Sequence, residues 1–387
     1  MINSLYKNRT AIYFGTGMED AGLTELARLG ARHVLLHYGQ GSVARSGLLD
    51  RVMAGLTARQ IAVTELGGVQ PNPTLPRVRE GVALCRARGI DTLLAVGGGS
   101  VIDSAKAIAA GAAFDGDVLD LIEGRVRPAA ALPLGVILTV PGAGSESSPA
   151  AVISDPARSL KLDFAAECLV PALAVLNPEN TRGVGLFQSR CGILDAITHV
   201  CERYFTQTDY VEVSDRLCEG LIQSLIHYGR AVDGRLDDYG VRAEVMWACK
   251  LAHDDVAGVG RKQDWSSHVI ANALGGHVDQ PHGALTVIVM LGWMKRAAET
   301  SPARFVQFGQ RIFGLASPTA AEAIAAFEHY IAGIGMPVRL SGLGVDLAPA
   351  TLDAVVDVCA RKNPSGTIGN FVRLGPNDVR TILETAR

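Results

Sequence analysis

A chain of 387 residues is longer than one hydrophobic core ordinarily serves, so two domains are expected. Its 48% apolar and 19% charged residues suit a well-buried globular protein, and a formal net charge of −3 leaves no basic footprint for nucleic acid. No apolar run reaches the roughly 18–20 residues of a membrane span, and Ile2-Asn-Ser-Leu-Tyr-Lys7 has no apolar core of a signal peptide. The seven cysteines (85, 168, 191, 201, 218, 249 and 359) are odd in number and widely spaced within apolar patterns. They read as reduced core residues of a cytoplasmic protein.

Residues 9–18 form a short strand ending in a glycine turn. A helix over 20–29 follows, then a strand, His33-Val-Leu-Leu-His-Tyr38, and the turn Gly39-Gln-Gly-Ser42. Helical spacing over 44–57 leads to a strand at Ile61–Leu66, closed by Gly67-Gly68. Pro73 and Pro76 favour a helix start, and that helix stops at Gly89. Thr92-Leu-Leu-Ala-Val96 is the continuous apolar run of a strand buried on both faces. This β-α-β-α order predicts a parallel sheet with helices on both sides. Val136–Val140, Ala151–Ser154 and Ala172–Leu176 continue the β-rich half. Beyond Asn177-Pro178 the patterns turn helical, with apolar residues at three-and-four spacing over Ser214–Tyr228, Asp238–Val256 and Pro318–Gly333. The domains are therefore set at 1–179, an α/β dinucleotide-binding domain, and 180–387, an all-α domain.

Two glycine-rich turns follow strands. In Ala95-Val-Gly-Gly-Gly-Ser-Val-Ile-Asp-Ser-Ala-Lys106, three glycines open a helix. Without a Cβ they let a pyrophosphate approach the backbone, and the helix start offers unpaired N–H groups. Ser100 and Asp103 also have the spacing of a helix-capping pair. The second turn is Gly142–Ser148. An enzyme preferring NAD usually ends its second strand near a carboxylate that holds the ribose hydroxyl. Here that strand ends in Tyr38-Gly-Gln-Gly-Ser42, and Ser42 with Arg45 suits a 2′-phosphate, which favours NADP over NAD. An ordinary turn with a solvated Arg45 is the other reading.

Three of the nine histidines, His268, His277 and His282, fall within 264–283. Upstream, Asp195 and His199 are spaced to share one helix face. A carboxylate with three imidazoles from Asp195, His199, His268 and His282 suits Fe²⁺ or Zn²⁺ with a position left for substrate oxygen. Each of these residues taken singly also reads as a hydrogen-bonded core or surface residue, and spacing does not establish that the two pairs meet.

Taken together, these stretches resemble the iron-containing (group III) alcohol dehydrogenase family. The likeness runs through Tyr13-Phe-Gly-Thr-Gly17, Pro71-Asn-Pro-Thr74, Gly97–Lys106, Gly144-Ser-Glu146, Gly192-Ile-Leu-Asp-Ala-Ile-Thr-His199, Asp264-Trp-Ser-Ser-His268, Pro281-His-Gly283 and Gly366-Thr-Ile-Gly-Asn-Phe371. The Asp-Trp-x-x-His form is similar to the butanol dehydrogenase and NADPH-dependent aldehyde reductase branch. The resemblance implies the dehydroquinate synthase-like fold and a homodimer. It puts the four metal ligands at Asp195, His199, His268 and His282. It puts cofactor contacts at Gly39, Ser42, Asn72, Gly98, Gly99, Ser100, Asp103, Thr139 and Lys161. Asn272 stands where the family usually has a further histidine, and Ala143 where a threonine is usual. No catalytic residue beyond the metal ligands is singled out.

The implied reaction is Lewis-acid-assisted hydride exchange between NAD(P)H and a small alcohol/aldehyde pair. Three other readings stand beside it: a metal-free reductase of the same fold, a dehydroquinate-synthase-like lyase, and a non-catalytic nucleotide-binding descendant.

Overall fold

The computed structural model describes residues 1–387. They divide into two compact units, one of Lys7–Gly185 with Arg235–Lys250, the other of Met1–Tyr6, Leu186–Gly234 and Leu251–Arg387.

The first unit alternates strands and helices: β1 (Ala11–Phe14), α1 (Glu19–Arg28), β2 (His33–Gly39), α2 (Ser42–Arg45), α3 (Leu48–Ala58), β3 (Ala62–Val69), α4 (Leu75–Arg88), β4 (Thr92–Gly98), α5 (Gly99–Ala112), α6 (Val118–Ile122) and β5 (Leu134–Val140). It continues with β6 (Ala150–Asp155), β7 (Leu160–Ala165) and β8 (Leu173–Leu176). Six strands form one sheet in the order β1-β8-β5-β4-β2-β3, and every pairing in it is parallel. After β3 the chain crosses back over β2 to lay β4 on its other side. The order thus reverses between β2 and β4, whose carboxyl ends are Gly39 and Gly98.

Both faces of the sheet are covered, as continuous apolar strands require. Along β4, Leu93 and Ala95 belong to the core shared with α4 and α5, while Leu94 and Val96 join the opposite core with α1 and α3 residues. That alternation follows from successive side chains leaving a strand on opposite faces. The 44–57 helix is broken in two, because Gly47 adopts a left-handed φ of 69° between α2 and α3. Strand β6 does not join the sheet; it pairs antiparallel with β7 as a separate hairpin. Its turn passes through Ser159 at φ 52°.

His37 on β2 is fully buried, with Nδ1 2.7 Å from the Leu66 carbonyl and Nε2 2.8 Å from Ser104 Oγ. Burial pushes it down to about 4, against the favourable carbonyl. In the unfolded chain the group titrates near 6.5. Its neutral state therefore contributes stability that is complete above that value and is lost as pH falls toward 4. The loss amounts to roughly 3 kcal/mol. Urea unfolding followed from pH 7 to 4 is expected to show this decline, and His37→Gln to flatten it; parallel curves would rule it out.

The second unit is helical: α7 (Leu186–Tyr204), α8 (Glu212–Ala231), the end of α9 (Tyr239–His253), α10 (Ser266–Gly275), α11 (His282–Ala298), α12 (Pro302–Phe313), α13 (Ala320–Gly333), α14 (Pro349–Arg361) and α15 (Pro376–Thr385). Most of α9, through Lys250, belongs to the first unit. This helix stops at His253, where the sequence pattern had run on to Val256. The Asp254 carboxylate instead accepts the Val256 N–H and starts a tighter turn. The core is α11, whose Gly283–Met294 are all buried, lying beside α7. Phe205, Trp293, Phe305 and Phe371 interlock at ring separations of 4.6–6.1 Å. No helix is long and apolar enough to cross a membrane, and all seven cysteines are free thiols.

Candidate active site

In the second unit, helix α7 carries Asp195 and His199 one turn apart, both about nine-tenths buried or more. His268 lies on the first turn of α10, and His282 is the first residue of α11. One donor atom from each of Asp195, His268 and His282 lies within 4.8 Å of the other two. His282 Nε2 is 3.7 Å from Asp195 Oδ1. The predicted pairs therefore meet, through three of the four residues. His199 is stacked flat on His268, rings 4.7 Å apart and 16° from parallel, with His253 4.4 Å away on another side.

The electrostatics favour neutral imidazole. Burial, and then repulsion from His253, His268 and Arg203, holds His199 well below the usual histidine range. The Nδ1 of His199 and the Nε2 of His268 are buried with no hydrogen-bond partner. Of these two, only His268 belongs to the converging group with Asp195 and His282. An unpartnered buried ring nitrogen beside a carboxylate is what a borderline metal ion takes up, and neutral His with ionised Asp is the required protonation state. The donor set fits Fe²⁺ or Zn²⁺.

Three contributors to this geometry were given no role in the reading of the sequence. The first is Gly283. A Cβ there would sit 2.1 Å from the Cys191 carbonyl oxygen and 3.0 Å from Asp195 Cβ, so only glycine lets α11 lie this close to α7. The second is Glu202, entirely buried, which meets His268 Nδ1 at 3.0 Å. Its signal was present, since 195, 199 and 202 share one helix face at four-and-three spacing. The third is Trp265, held at a left-handed φ of 67° at the start of α10, with the Arg203 guanidinium 4.8 Å above its ring.

His277, the remaining histidine of the 264–283 stretch, lies exposed beyond the end of α10, outside the cluster. Asn272 is one turn after His268, with a buried Oδ1 that has no partner.

The cofactor candidates all lie in the first unit. Gly98 ends β4 and Gly99 opens α5. Side chains here would collide: a Cβ on Gly98 comes within 2.8 Å of Val140, and one on Gly99 within 2.9 Å of Ala143. Gly39 ends β2, and Ser42 begins α2 after Gly41 at φ 150°. Gly39, Gly98, Gly99 and Ser100 thus cluster at the carboxyl ends of the strands flanking the order reversal, where open α/β sheets bind ligands. Thr139 lies at the same end of β5. On the hairpin, Lys161 Nζ donates to Asn72 Oδ1 at 2.8 Å, and Asn72 itself sits at φ 58°.

Asp103 is engaged within the protein. One oxygen accepts Ser145 Oγ at 2.5 Å and the other the Val152 N–H at 3.0 Å. The neighbouring buried Lys106 donates to Ser145 Oγ and to the Ser148 and Ala150 carbonyls. This pair ties α5 to the second glycine turn. The capping role read for Ser100 and Asp103 is not realised, because α5 has Gly98 as its N-cap and no side-chain cap.

A doubly covered parallel sheet with a glycine turn at its reversal, and a helical unit with a buried Asp–His cluster, describe a dehydrogenase architecture. Family models agree: "Iron-containing alcohol dehydrogenase" matches residues 9–178 and "Fe-containing alcohol dehydrogenase family, C-terminal" matches 191–387. The chain belongs to the iron-containing alcohol dehydrogenase family and is an oxidoreductase of the alcohol dehydrogenase and aldehyde reductase class. It is 35% identical to "Probable NADH-dependent butanol dehydrogenase 1" of Bacillus subtilis, covering 100% of both chains. It is also 35% identical to "NADPH-dependent aldehyde reductase YqhD" of Escherichia coli, over 87% of this chain and 88% of that one. Its fold superposes on the crystal structure of NADH-dependent butanol dehydrogenase A from Thermotoga maritima with a TM-score of 0.95 at 33% identity, covering 99% and 98% of the two chains.

Proposed function

We propose that this chain interconverts a small primary alcohol and its aldehyde, using NADP(H) in preference to NAD(H) and one divalent ion, Fe²⁺ or Zn²⁺. Asp195, His199, His268 and His282 would hold the ion. The observation that carries this reading is the convergence of three predicted donors within 4.8 Å, beside two buried ring nitrogens that have no protein partner. When bound, the ion supplies Lewis acidity to the substrate oxygen and the nicotinamide supplies hydride chemistry.

The residues supply position and charge. Asp195 contributes the one carboxylate of the set, and the imidazoles add no charge of their own. Burial of Asp195, His199 and His268 keeps bulk water from competing for their donor atoms. In the first unit, the turn at Gly98, Gly99 and Ser100 presents backbone N–H groups to the pyrophosphate. Gly39, Ser42, Asn72, Thr139 and Lys161 would contact the rest of the dinucleotide, and Asp103 would act through the braced second turn. The absence of a carboxylate at the end of β2, with Ser42 and Arg45 just beyond it, supports the NADP(H) preference. The domain roles follow: residues 1–179 bind dinucleotide, and 180–387 hold metal and substrate. The family resemblance supports a homodimer. The reduced cysteines support a cytoplasmic setting, and the net charge of −3 and the short apolar runs support a chain that partners neither nucleic acid nor membrane.

The test is oxidation of NADPH and of NADH with a panel of short aldehydes, before and after chelation and with Fe²⁺ or Zn²⁺ restored. Turnover that chelation abolishes and one of the two ions restores, faster with NADPH, is expected. Turnover indifferent to chelation would overturn the metal assignment, and a preference for NADH would overturn the cofactor assignment.

A further inference from the structure

Glu202 lies on the face of α7 that carries Asp195 and His199, one turn further along, and is wholly buried. Its two carboxylate oxygens meet three nitrogens of one short segment. Oε2 accepts the Trp265 N–H at 2.8 Å, and Oε1 accepts the His268 backbone N–H at 3.1 Å. Oε1 also lies 3.0 Å from His268 Nδ1. The Glu202 carbonyl takes the Asp264 N–H at 2.9 Å, so the whole turn 264–268 is hung from this one residue.

An ionised carboxylate has only acceptors. Whatever faces it must donate, so His268 Nδ1 carries the proton. The ring's other nitrogen, Nε2, is buried and without a partner. It is then the only lone pair His268 offers to the cluster it forms with Asp195 and His282. A histidine free to choose would populate both tautomers, and every ring in the Nε2–H form would present a proton where a lone pair is needed. The same contact limits rotation of the ring.

A second buried carboxylate, Asp264, secures the opposite side of the turn. It accepts Ser266 N at 3.0 Å and the Asn370 and Phe371 N–H groups at 2.7 and 2.6 Å. It meets no imidazole in these contacts. Glu202 both braces the turn and meets the ring, whereas Asp264 only braces, which supplies an internal control.

We propose that Glu202 is the positioning residue of the centre: its carboxylate fixes His268 as the Nδ1–H tautomer and so points the Nε2 lone pair at the ion. This rests on the metal reading given above for its consequence, but its first step, the tautomer, is a property of the metal-free chain. Glu202→Gln preserves shape and removes the charge. A carboxamide cannot accept all three donors, because its NH₂ must face either the Trp265 N–H or the two His268 nitrogens.

The experiment has two arms. In the first, long-range ¹H–¹⁵N correlation of histidine-labelled, metal-free protein is recorded, with His268→Gln identifying the signals. The wild type is expected to show protonated Nδ1 and unprotonated Nε2 at residue 268. Glu202→Gln is expected to shift the ring toward a mixture, and Asp264→Asn to leave it unchanged. A wild-type ring protonated at Nε2 overturns the proposal, and this needs no variant to fold. An unmoved tautomer in Glu202→Gln, or an equal shift in Asp264→Asn, overturns it as well.

In the second arm, Zn²⁺ affinity is measured by chelator competition. Loss of the orienting partner is expected to weaken binding by roughly 10- to 100-fold. Equal affinity in wild type and Glu202→Gln overturns the proposal. A wild type that binds no Zn²⁺ or Fe²⁺ would instead refute the metal reading, and the tautomer would still decide the role of Glu202.

Discussion

Asp195→Asn is expected to lose its divalent ion on dialysis and to fall in kcat by on the order of a thousand-fold. The substitution keeps shape and hydrogen-bonding size, so packing on α7 is undisturbed. What it removes is the only negative charge among the proposed donors, 3.7 Å from His282 Nε2. The remaining three side chains are neutral imidazoles, and a divalent ion taken into a buried site without a carboxylate is left with its charge uncompensated. Lewis-acid assistance is worth several kcal/mol of transition-state stabilisation, and each 1.36 kcal/mol is tenfold in rate. Elemental analysis beside aldehyde-dependent NADPH oxidation checks this. A metal-replete variant with near-normal turnover would remove Asp195 from the centre.

The second large effect comes from a residue with no chemistry of its own. Gly283→Ala places a methyl group 2.1 Å from the Cys191 carbonyl oxygen, a backbone atom in the middle of α7 that cannot turn aside. Helix α11 must move away, and overpacking of this kind typically costs about 1–3 kcal/mol. The adjacent His282 moves with its helix, away from Asp195. A misplacement of about 1 Å at a reacting centre is worth roughly a hundred-fold in rate. The variant is therefore expected to fold, melt lower, bind metal less tightly and turn over about a hundred-fold more slowly. Gly220→Ala is the comparison: at this exposed position of α8 an added Cβ meets nothing within 4 Å. Replacing glycine within a helix there should gain up to about 1 kcal/mol, with activity unchanged. Equal activity in the two variants would show that close approach of α7 and α11 does not position the ligands.

The sheet was legible because its strands are buried on both faces and so carry unbroken apolar runs. Thr92–Val96 and Val136–Val140 name themselves in this way, and β4 and β5 are where the runs predict. The three-glycine turn was legible too, since no other residue type tolerates the contacts that Gly98 and Gly99 make with Val140 and Ala143. Local pattern failed where a single backbone angle or a single side chain decided the outcome. Gly47 broke an otherwise helical stretch, and Asp254 ended α9 early by capturing a backbone N–H. Nor did alternation in 151–154 show which strand would be its partner, because a hairpin and a sheet edge present the same period.

The centre divides along the same line. Composition, spacing and motif were enough to nominate Asp195, His199, His268 and His282, because helix periodicity and the scarcity of histidine are properties of the chain read linearly. That Asp195, His268 and His282 share a volume a few ångström across, while His199 stacks on His268, depended on how three helices pack. Glu202 and His268 are 66 residues apart, and nothing local to either says they touch. Gly283 carries no functional group, so its importance exists only as the space it leaves for Cys191. Periodic burial is written into neighbouring residues; a contact between distant ones is decided by shape complementarity, which appears only when the helices are laid against each other.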